Sequence, residues 1–299
     1  MTLRSGEVYF SEQNSSFIIP ESISLFGLSI SFYGLFLVLA ALIGIIFVGE
    51  AARRRKQDVE KCLTLITIVI VCALVGARIH YVLFEWQSFV QNPIAFFQFR
   101  SGGLAYYGGL FSAWFVMKLF CRKTKTDFLQ YADTLCLGAA CVAPIIWTGC
   151  AFVREPLGRF YDGVFSIRIE EEYLSREIQV HYSDELLNRT WSAEDSMVYI
   201  QMHPVAVYGL VLSVLLFVIL CILAVKRRFD GEVFTAYLMM NAVMFFVLEL
   251  FRADSAYVWG TDIPVNCVIS AVIIVTIAGG KVRTLLKRRK DRRRVFIHQ

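Results

Sequence analysis

Seven apolar stretches, approximately 31–49, 62–84, 103–121, 128–152, 204–225, 233–251 and 263–280, constrain this chain more than any other feature. Each runs to about 18 residues or more, the length a helix needs to cross about 30 Å of hydrocarbon at ~1.5 Å per residue. Hydrophobic residues make up 57% of the 299, well above the roughly 45–50% of an ordinary soluble domain. A soluble monomer has too little interior to hide that surface. The expected fold class is an all-α membrane protein of about seven transmembrane helices, a single polytopic domain over residues 1–299. The opening 16 residues are polar and acidic and lack the basic start and short apolar run of a cleavable signal peptide. The first span is therefore expected to remain in the mature chain.

Basic residues set the orientation, because lysine and arginine accumulate on the cytoplasmic side. Arg53 to Lys56 with Lys61, then Arg122, Lys123 and Lys125, then Lys226 to Arg228, fall in alternate connections, and the tail from Lys281 to Arg294 joins them. This places every lysine inside, the N-terminus outside and the C-terminus in the cytoplasm, which an odd number of spans satisfies. The formal charge of +5 then reflects topology and attraction to anionic inner-leaflet lipid. The tail reads as a solvated, lipid-facing stop, so no nucleic-acid partner is expected.

One extended polar region, residues 153–202, lies between the fourth and fifth spans with ten acidic and five basic residues. Alternation in 164–170 and 176–182 predicts two strands, and hence a small ordered extracytoplasmic head. Residues 85–102 are aromatic and too polar to span. They read as an interfacial helix with Trp86, Phe96, Phe97 and Phe99 in the headgroup layer. The eight cysteines lie within or at the edges of apolar segments, which gives no disulfide framework. Four scattered histidines without a cysteine or carboxylate at ligand spacing argue against a metal site.

Ionisable residues cluster near the outer ends of the spans: Arg78, Glu85, Arg154, Glu155, Arg159, Glu249 and Arg252. A charge at the centre of a spanning helix costs about 2.5–3.5 kcal/mol even on the lenient insertion scale, so such groups face a cavity and pair with one another. Glu249 and Arg252 are three apart and can pair on one helix face; Glu155 and Arg159 are four apart, with Pro156 interrupting a continuous helix. Converging guanidinium groups suit the phosphate of an anionic phospholipid headgroup. The alternative is a set of snorkelling arginines and structural pairs. Gly102, Gly103, Gly108 and Gly109 bracket Leu104 to Tyr107 and allow close approach of either a ligand or a neighbouring helix. Tyr33 and Gly34 stand at the outer end of the first span.

In order along the chain, ISFYGL (30–35), GARIHYVLF (76–84), NP (92–93), GGLAYYGGL (102–110), TGCAFVREPLGR (148–159), HPVAVY (203–208) and FFVLELFRAD (245–254) resemble the bacterial prolipoprotein diacylglyceryl transferases. The resemblance runs from about residue 28 to the last span. It implies a seven-helix membrane body with a small outer head. It also implies transfer of the diacylglyceryl group of phosphatidylglycerol to the lipobox cysteine thiol of a prolipoprotein, with release of glycerol phosphate. The implied partners are phosphatidylglycerol, lipobox-containing prolipoprotein signal peptides and the bacterial cytoplasmic (inner) membrane, with no cofactor. Carried onto this sequence, the resemblance implies Tyr107, Glu155 and Glu249 as catalytic positions, and Tyr33, Arg78, Gly108, Gly158, Arg159 and Arg252 as substrate-binding positions.

This chain also departs from the family pattern. Tyr107 stands where the family usually has His, Trp147 and Phe245 where it has Arg, Cys150 and Val153 where it has Asn, Asn241 where it has Tyr, and Gly209 where it has Glu. Glu155, Gly158, Glu249 and Arg252 are kept. Losing two cations from a phosphate site removes about 1.5–3 kcal/mol each of charged hydrogen bonding. Two readings follow: a divergent transferase, or an impaired paralogue that binds phospholipid or signal peptide without transfer. A transporter is disfavoured, because the spans show no inverted pair of broken helices.

Overall fold

The computed structural model describes residues 5–9, 16–20, 22–25, 28–84, 86–91, 96, 104–161, 163, 165–170, 191–192, 198–258, 261 and 263–280. Its helices are α1 (Phe32–Arg54), α2 (Val59–Phe84), α3 (Trp86–Gln91), α4 (Tyr106–Thr124), α5 (Phe128–Val153), α6 (Val205–Lys226), α7 (Glu232–Glu249) and α8 (Val265–Gly280). A helix therefore covers each of the seven expected stretches. Among the described residues, α1, α2, α5, α6 and α7 are long and apolar enough to cross a membrane, which makes this a multi-pass membrane protein. Helix α4 has 19 residues, but Lys118, Arg122 and Lys123 dilute its hydropathy, and α8 is apolar but shorter. The interfacial segment begins as the short α3, with Trp86 exposed. Glu85, Phe97, Phe99, Gly102, Gly103 and the basic tail lie outside the described residues.

Helix α1 packs along α5, α2 along α4, and α5 against α6 and α7. One apolar core joins Leu137, Trp147, Val205, Leu216, Tyr237 and Leu248 of α5, α6 and α7. A second joins Val48, Ala52, Leu65, Met117 and Ala132 of α1, α2, α4 and α5. Outer faces carry large exposed apolar residues such as Ile46, 71% exposed, and Val225, 87% exposed. In water this would be a severe liability; against lipid it is the expected surface.

Lipid tails are as apolar as leucine, so helix positions are fixed by close packing and interhelical hydrogen bonds, worth about 0.6–2 kcal/mol each. Four such links recur here. Tyr106 of α4 donates to Asn241 of α7 at 2.9 Å, and Tyr107 shares a hydrogen bond with Ser270 of α8. Asn266 of α8 donates to both oxygens of Glu249. Asp133 of α5 accepts from the backbone N–H groups of Gly231 at 3.0 Å and Phe234 at 2.8 Å. That last carboxylate caps the start of α7 from a different helix, supplying acceptors the first turn otherwise lacks.

Asp133 belongs to a network that ties one end of the bundle together. Arg227 lies 3.8 Å from it and 3.2 Å from Asp230, Arg55 donates to Thr134, and Gln130 donates to Asp230. The basic ends of α1 and α6 thus meet the start of α5 at one surface. The opposite surface carries the head, a three-stranded antiparallel sheet of β5 (Ile167–Glu170), β7 (Val198–Met202) and β6 (Trp191–Ser192) in that spatial order. The first expected strand is found at β5, whereas the second, 176–182, lies outside the described residues. Two hairpins precede α1: β1 (Ser5–Tyr9) with β2 (Ser16–Pro20), and β3 (Ser22–Leu25) with β4 (Leu28–Ser31). Strand β1 runs beside β5, so part of the polar N-terminal segment joins this sheet.

Candidate functional site

Three chain segments meet where α5 and α7 end and α6 begins. Helix α5 stops at Arg154, whose left-handed backbone turns the chain away, and Pro156 two residues on cannot rejoin a helix. Residues 157–161 then run between two neighbours. On one side the Arg159 N–H donates to the Phe251 carbonyl at 2.7 Å and the Ala253 N–H to the Leu157 carbonyl at 2.9 Å. On the other, the His203 N–H donates to the Arg159 carbonyl at 2.9 Å and the Tyr161 N–H to the Gln201 carbonyl at 3.0 Å. Gly158 sits in the middle of this ladder, paired with Arg252, and a Cβ there would collide with the His203 carbonyl oxygen. Glycine is required by close approach, not by an unusual φ. We expect Gly158→Ala to cost ~1–3 kcal/mol or more as an overpacking change. A thermal unfolding midpoint in detergent equal to that of the parent protein would contradict the ladder.

The ladder holds an ionic cluster. Glu249, fully buried, receives Arg252 Nη1 at 3.3 Å and Asn266 Nδ2 at 3.2 and 3.1 Å on its two oxygens. Arg252 Nε lies 3.0 Å from Asp254 Oδ1, and the other oxygen of Asp254 accepts from the Leu157 N–H at 3.1 Å. Arg159, exposed at the surface of the cluster, donates through Nε to the Arg252 carbonyl at 3.1 Å. Burial works against the Arg252 cation, but the carboxylates of Asp254, Glu249 and Glu155 outweigh it and hold the pKa above the usual arginine value. The predicted pairing of Glu249 with Arg252 is therefore present. Glu155 is exposed, and its charge acts on Arg252, Cys150 and Tyr33. Tyr107 interacts electrostatically with Glu249 while its hydroxyl bonds Ser270.

Of the expected residues, Arg159, Glu249 and Arg252 meet directly around the Gly158 ladder, and Tyr33, Tyr107 and Glu155 lie within electrostatic reach of this group. Arg78 and Gly108 take other surroundings. Arg78, 2% exposed, donates to the Phe96 carbonyl at 3.0 Å and lies over the rings of Tyr81 and Phe89. Gly108 lets α4 cross α2, where a Cβ would strike His80 and the Gly76 carbonyl. Sequence reasoning overlooked Asp254, Asn266 and His203. His203 stacks on Tyr161 with ring centres 4.1 Å apart, and its Nδ1 is 3.2 Å from the Tyr208 hydroxyl. Burial lowers its pKa below the ordinary histidine value, so near neutral pH it is an uncharged hydrogen-bonding group. The spacing of the acidic residue two positions after Arg252 was visible in the sequence; the Asn266 contact, made from another helix, was not.

Four of the positions read above as departures from the family pattern lie together. The Trp147 indole covers Gly209 so closely that any side chain at 209 would collide with the ring. Phe245 lies 6.1 Å from Trp147 and stacks on Tyr106 at 4.0 Å, and Tyr106 bonds Asn241. Trp147, Gly209, Asn241 and Phe245 thus belong, with Tyr106, to one packed layer.

A bundle of apolar helices with a buried carboxylate, guanidinium groups and a backbone ladder at one end defines a membrane-embedded protein with an ionic cluster at that end. The chain matches the family model described as "Prolipoprotein diacylglyceryl transferase" over residues 20–282, and it belongs to that family. Proteins named phosphatidylglycerol--prolipoprotein diacylglyceryl transferase are similar to it. That of Listeria welshimeri serovar 6b is 28% identical over 261 residues, covering 87% of each chain. That of Finegoldia magna is 26% identical over 253 residues, covering 84% of this chain and 90% of the relative. That of Clostridioides difficile is 25% identical over 232 residues, covering 78% and 82%.

Proposed function

We propose that this protein transfers the diacylglyceryl group of phosphatidylglycerol to the lipobox cysteine of prolipoprotein signal peptides in the bacterial cytoplasmic membrane. The single observation that carries the reading is the buried Glu249 carboxylate, fixed between Arg252 and Asn266 beside Arg159 and Glu155. Membership of the family and the names of the relatives support it. In this reading all seven stretches span, the N-terminus and the head of 153–202 face outward, and the C-terminus is cytoplasmic. Nucleic acid has no part.

In the reaction the thiol loses its proton and sulfur attacks the diacylglyceryl carbon bonded to the phosphate oxygen. That C–O bond breaks with its electron pair leaving on the phosphate, a thioether forms, and glycerol phosphate carries the charge away. Arg159 and Arg252 hold the phosphate and stabilise charge as it departs, the electrostatic contribution that dominates much of catalysis. Glu249 fixes Arg252, and Glu155, exposed at the rim, accepts the thiol proton. Tyr107 remains protonated near neutral pH, as a phenol does, and acts as a hydrogen-bond donor, not a base. Tyr33 and Gly158 complete the binding wall, whereas Arg78 and Gly108 act at a distance by fixing how α2 and α4 pack.

The experiment is direct. Purified protein in phosphatidylglycerol nanodiscs, given a lipobox peptide, is expected to yield peptide carrying thioether-linked diacylglycerol, detected by mass spectrometry with release of glycerol phosphate. Peptide bound but unmodified, under conditions where the Listeria relative works, selects the impaired paralogue and refutes transfer.

A further inference from the structure

One helical turn beneath the ionic cluster lies the aromatic layer. Phe245 precedes Glu249 by four residues on α7, and Trp147 precedes Cys150 by three on α5, so each ring sits about 4–6 Å below its charged or thiol neighbour along the helix axis. The Glu155 N–H donates to the Cys150 carbonyl at 3.1 Å, which places Cys150 at the level where the ladder begins. Trp147 comes from α5, the notch at Gly209 from α6 and Phe245 from α7, so the layer closes the space between three helices. Tyr106 and Tyr107 of α4 complete it, with Tyr107 at 5.8 Å from Phe245. Trp147 keeps 9% of its surface and Phe245 is half-buried. Above the layer are carboxylates and guanidinium groups; below it come the hydrogen-bonded Tyr106, Tyr237 and Asn241 and then apolar side chains such as Leu216, Leu220 and Val233.

We infer that Trp147, seated in the Gly209 notch and flanked by Phe245, is the floor of the lipid site and a specificity-determining residue, receiving the ester end and first methylenes of a phospholipid whose phosphate lies at Arg252 and Arg159. This rests on the transferase reading for its reaction, and for its ligand on a glycerophospholipid being bound, with or without transfer. An indole is suited to this depth, because its ring is apolar while its N–H serves the ester region. The floor sets how far a headgroup can sink and excludes water below the ionic cluster. It also explains why a glycine faces the indole: a side chain at 209 and the indole compete for one volume, so Gly209 is what lets Trp147 lie flat.

Two measurements decide the matter. In nanodiscs, phosphatidylglycerol brominated close to the ester carbonyls is compared with the same lipid brominated near the chain ends. The contribution of Trp147 is isolated as the difference between the parent protein and Trp147→Phe. Its emission is expected to be quenched more by the near-carbonyl label, and equal or absent quenching overturns the inference whether or not the protein turns over. In the transfer assay, the ratio of kcat/KM for dioleoyl over dihexanoyl phosphatidylglycerol is expected to shift about tenfold in Trp147→Leu, the scale set by a small change in an apolar pocket. Trp147→Phe, which keeps a ring in the notch, is expected to retain the parent ratio. A lower kcat for both donors at an unchanged ratio would make Trp147 a packing residue only and overturn the assignment. Failure of the parent protein to turn over would instead sink the transferase reading and leave the quenching result to decide the floor.

Discussion

Arg252→Ala is expected to reduce kcat/KM for diacylglyceryl transfer by about a hundredfold to a thousandfold, the usual loss when one charge-stabilising donor is removed. Its guanidinium contacts Glu249 at 3.3 Å and Asp254 at 3.0 Å, and truncation leaves the fully buried Glu249 with Asn266 alone. Breaking a buried pair from one side costs about 3–5 kcal/mol, because the remaining charge stays desolvated. Arg252→Lys keeps the charge but loses the fork that bridges two carboxylates, so it falls between the parent and Arg252→Ala. The ladder separates a local from a global effect, because it is backbone hydrogen bonding and does not need the Arg252 side chain. Initial-rate kinetics on variants that remain monodisperse in detergent provide the measurement. Near-parental kcat/KM in Arg252→Ala would remove Arg252 from the mechanism.

The largest stability effect is expected at the other end of the bundle. Asp133→Ala removes the acceptor of two backbone N–H groups, those of Gly231 and Phe234, and leaves Arg227 without its buried partner. Each orphaned donor costs about 1–3 kcal/mol, so the start of α7 becomes the weakest point of the bundle. Asp133→Asn retains one carbonyl acceptor and recovers part of the loss. Thermal unfolding in detergent and proteolysis of the α6–α7 turn follow the effect. An unfolding midpoint within error of the parent would show that α7 is held by apolar packing without the cap. Because α7 carries Asn241, Phe245 and Glu249, a weakened start also misplaces the ionic cluster at its far end.

Several elements were legible before any coordinates. The stretches 31–49 and 128–152 differ from α1 and α5 only at their ends, because a run of apolar residues specifies a helix in lipid almost regardless of its neighbours. The pairing of Glu249 with Arg252 followed from their spacing of three, although α7 ends at Glu249 and a turn past its end carries Arg252. Arg78 shows where such reasoning stops. It shares the depth of the cluster in sequence, yet α2 turns it toward Phe96, Tyr81 and Phe89. The strands of 191–192 and 198–202 went unread because two of the partners in that sheet are far apart in the chain, and isolated short segments carry a weak alternation signal. Trp147 and Gly209 read in the sequence as two separate departures from the resemblance, and the structure seats the indole directly against the glycine.

The sequence by itself determined that this chain is a multi-pass membrane protein of the prolipoprotein diacylglyceryl transferase family, because apolar length and motif order are properties of local segments. Tertiary structure alone decided which polar side chains meet. Helices such as α6 are apolar all round, so composition does not fix their rotation, and rotation is what sets Asn266 on Glu249, Asp133 on the start of α7 and the Trp147 indole over Gly209.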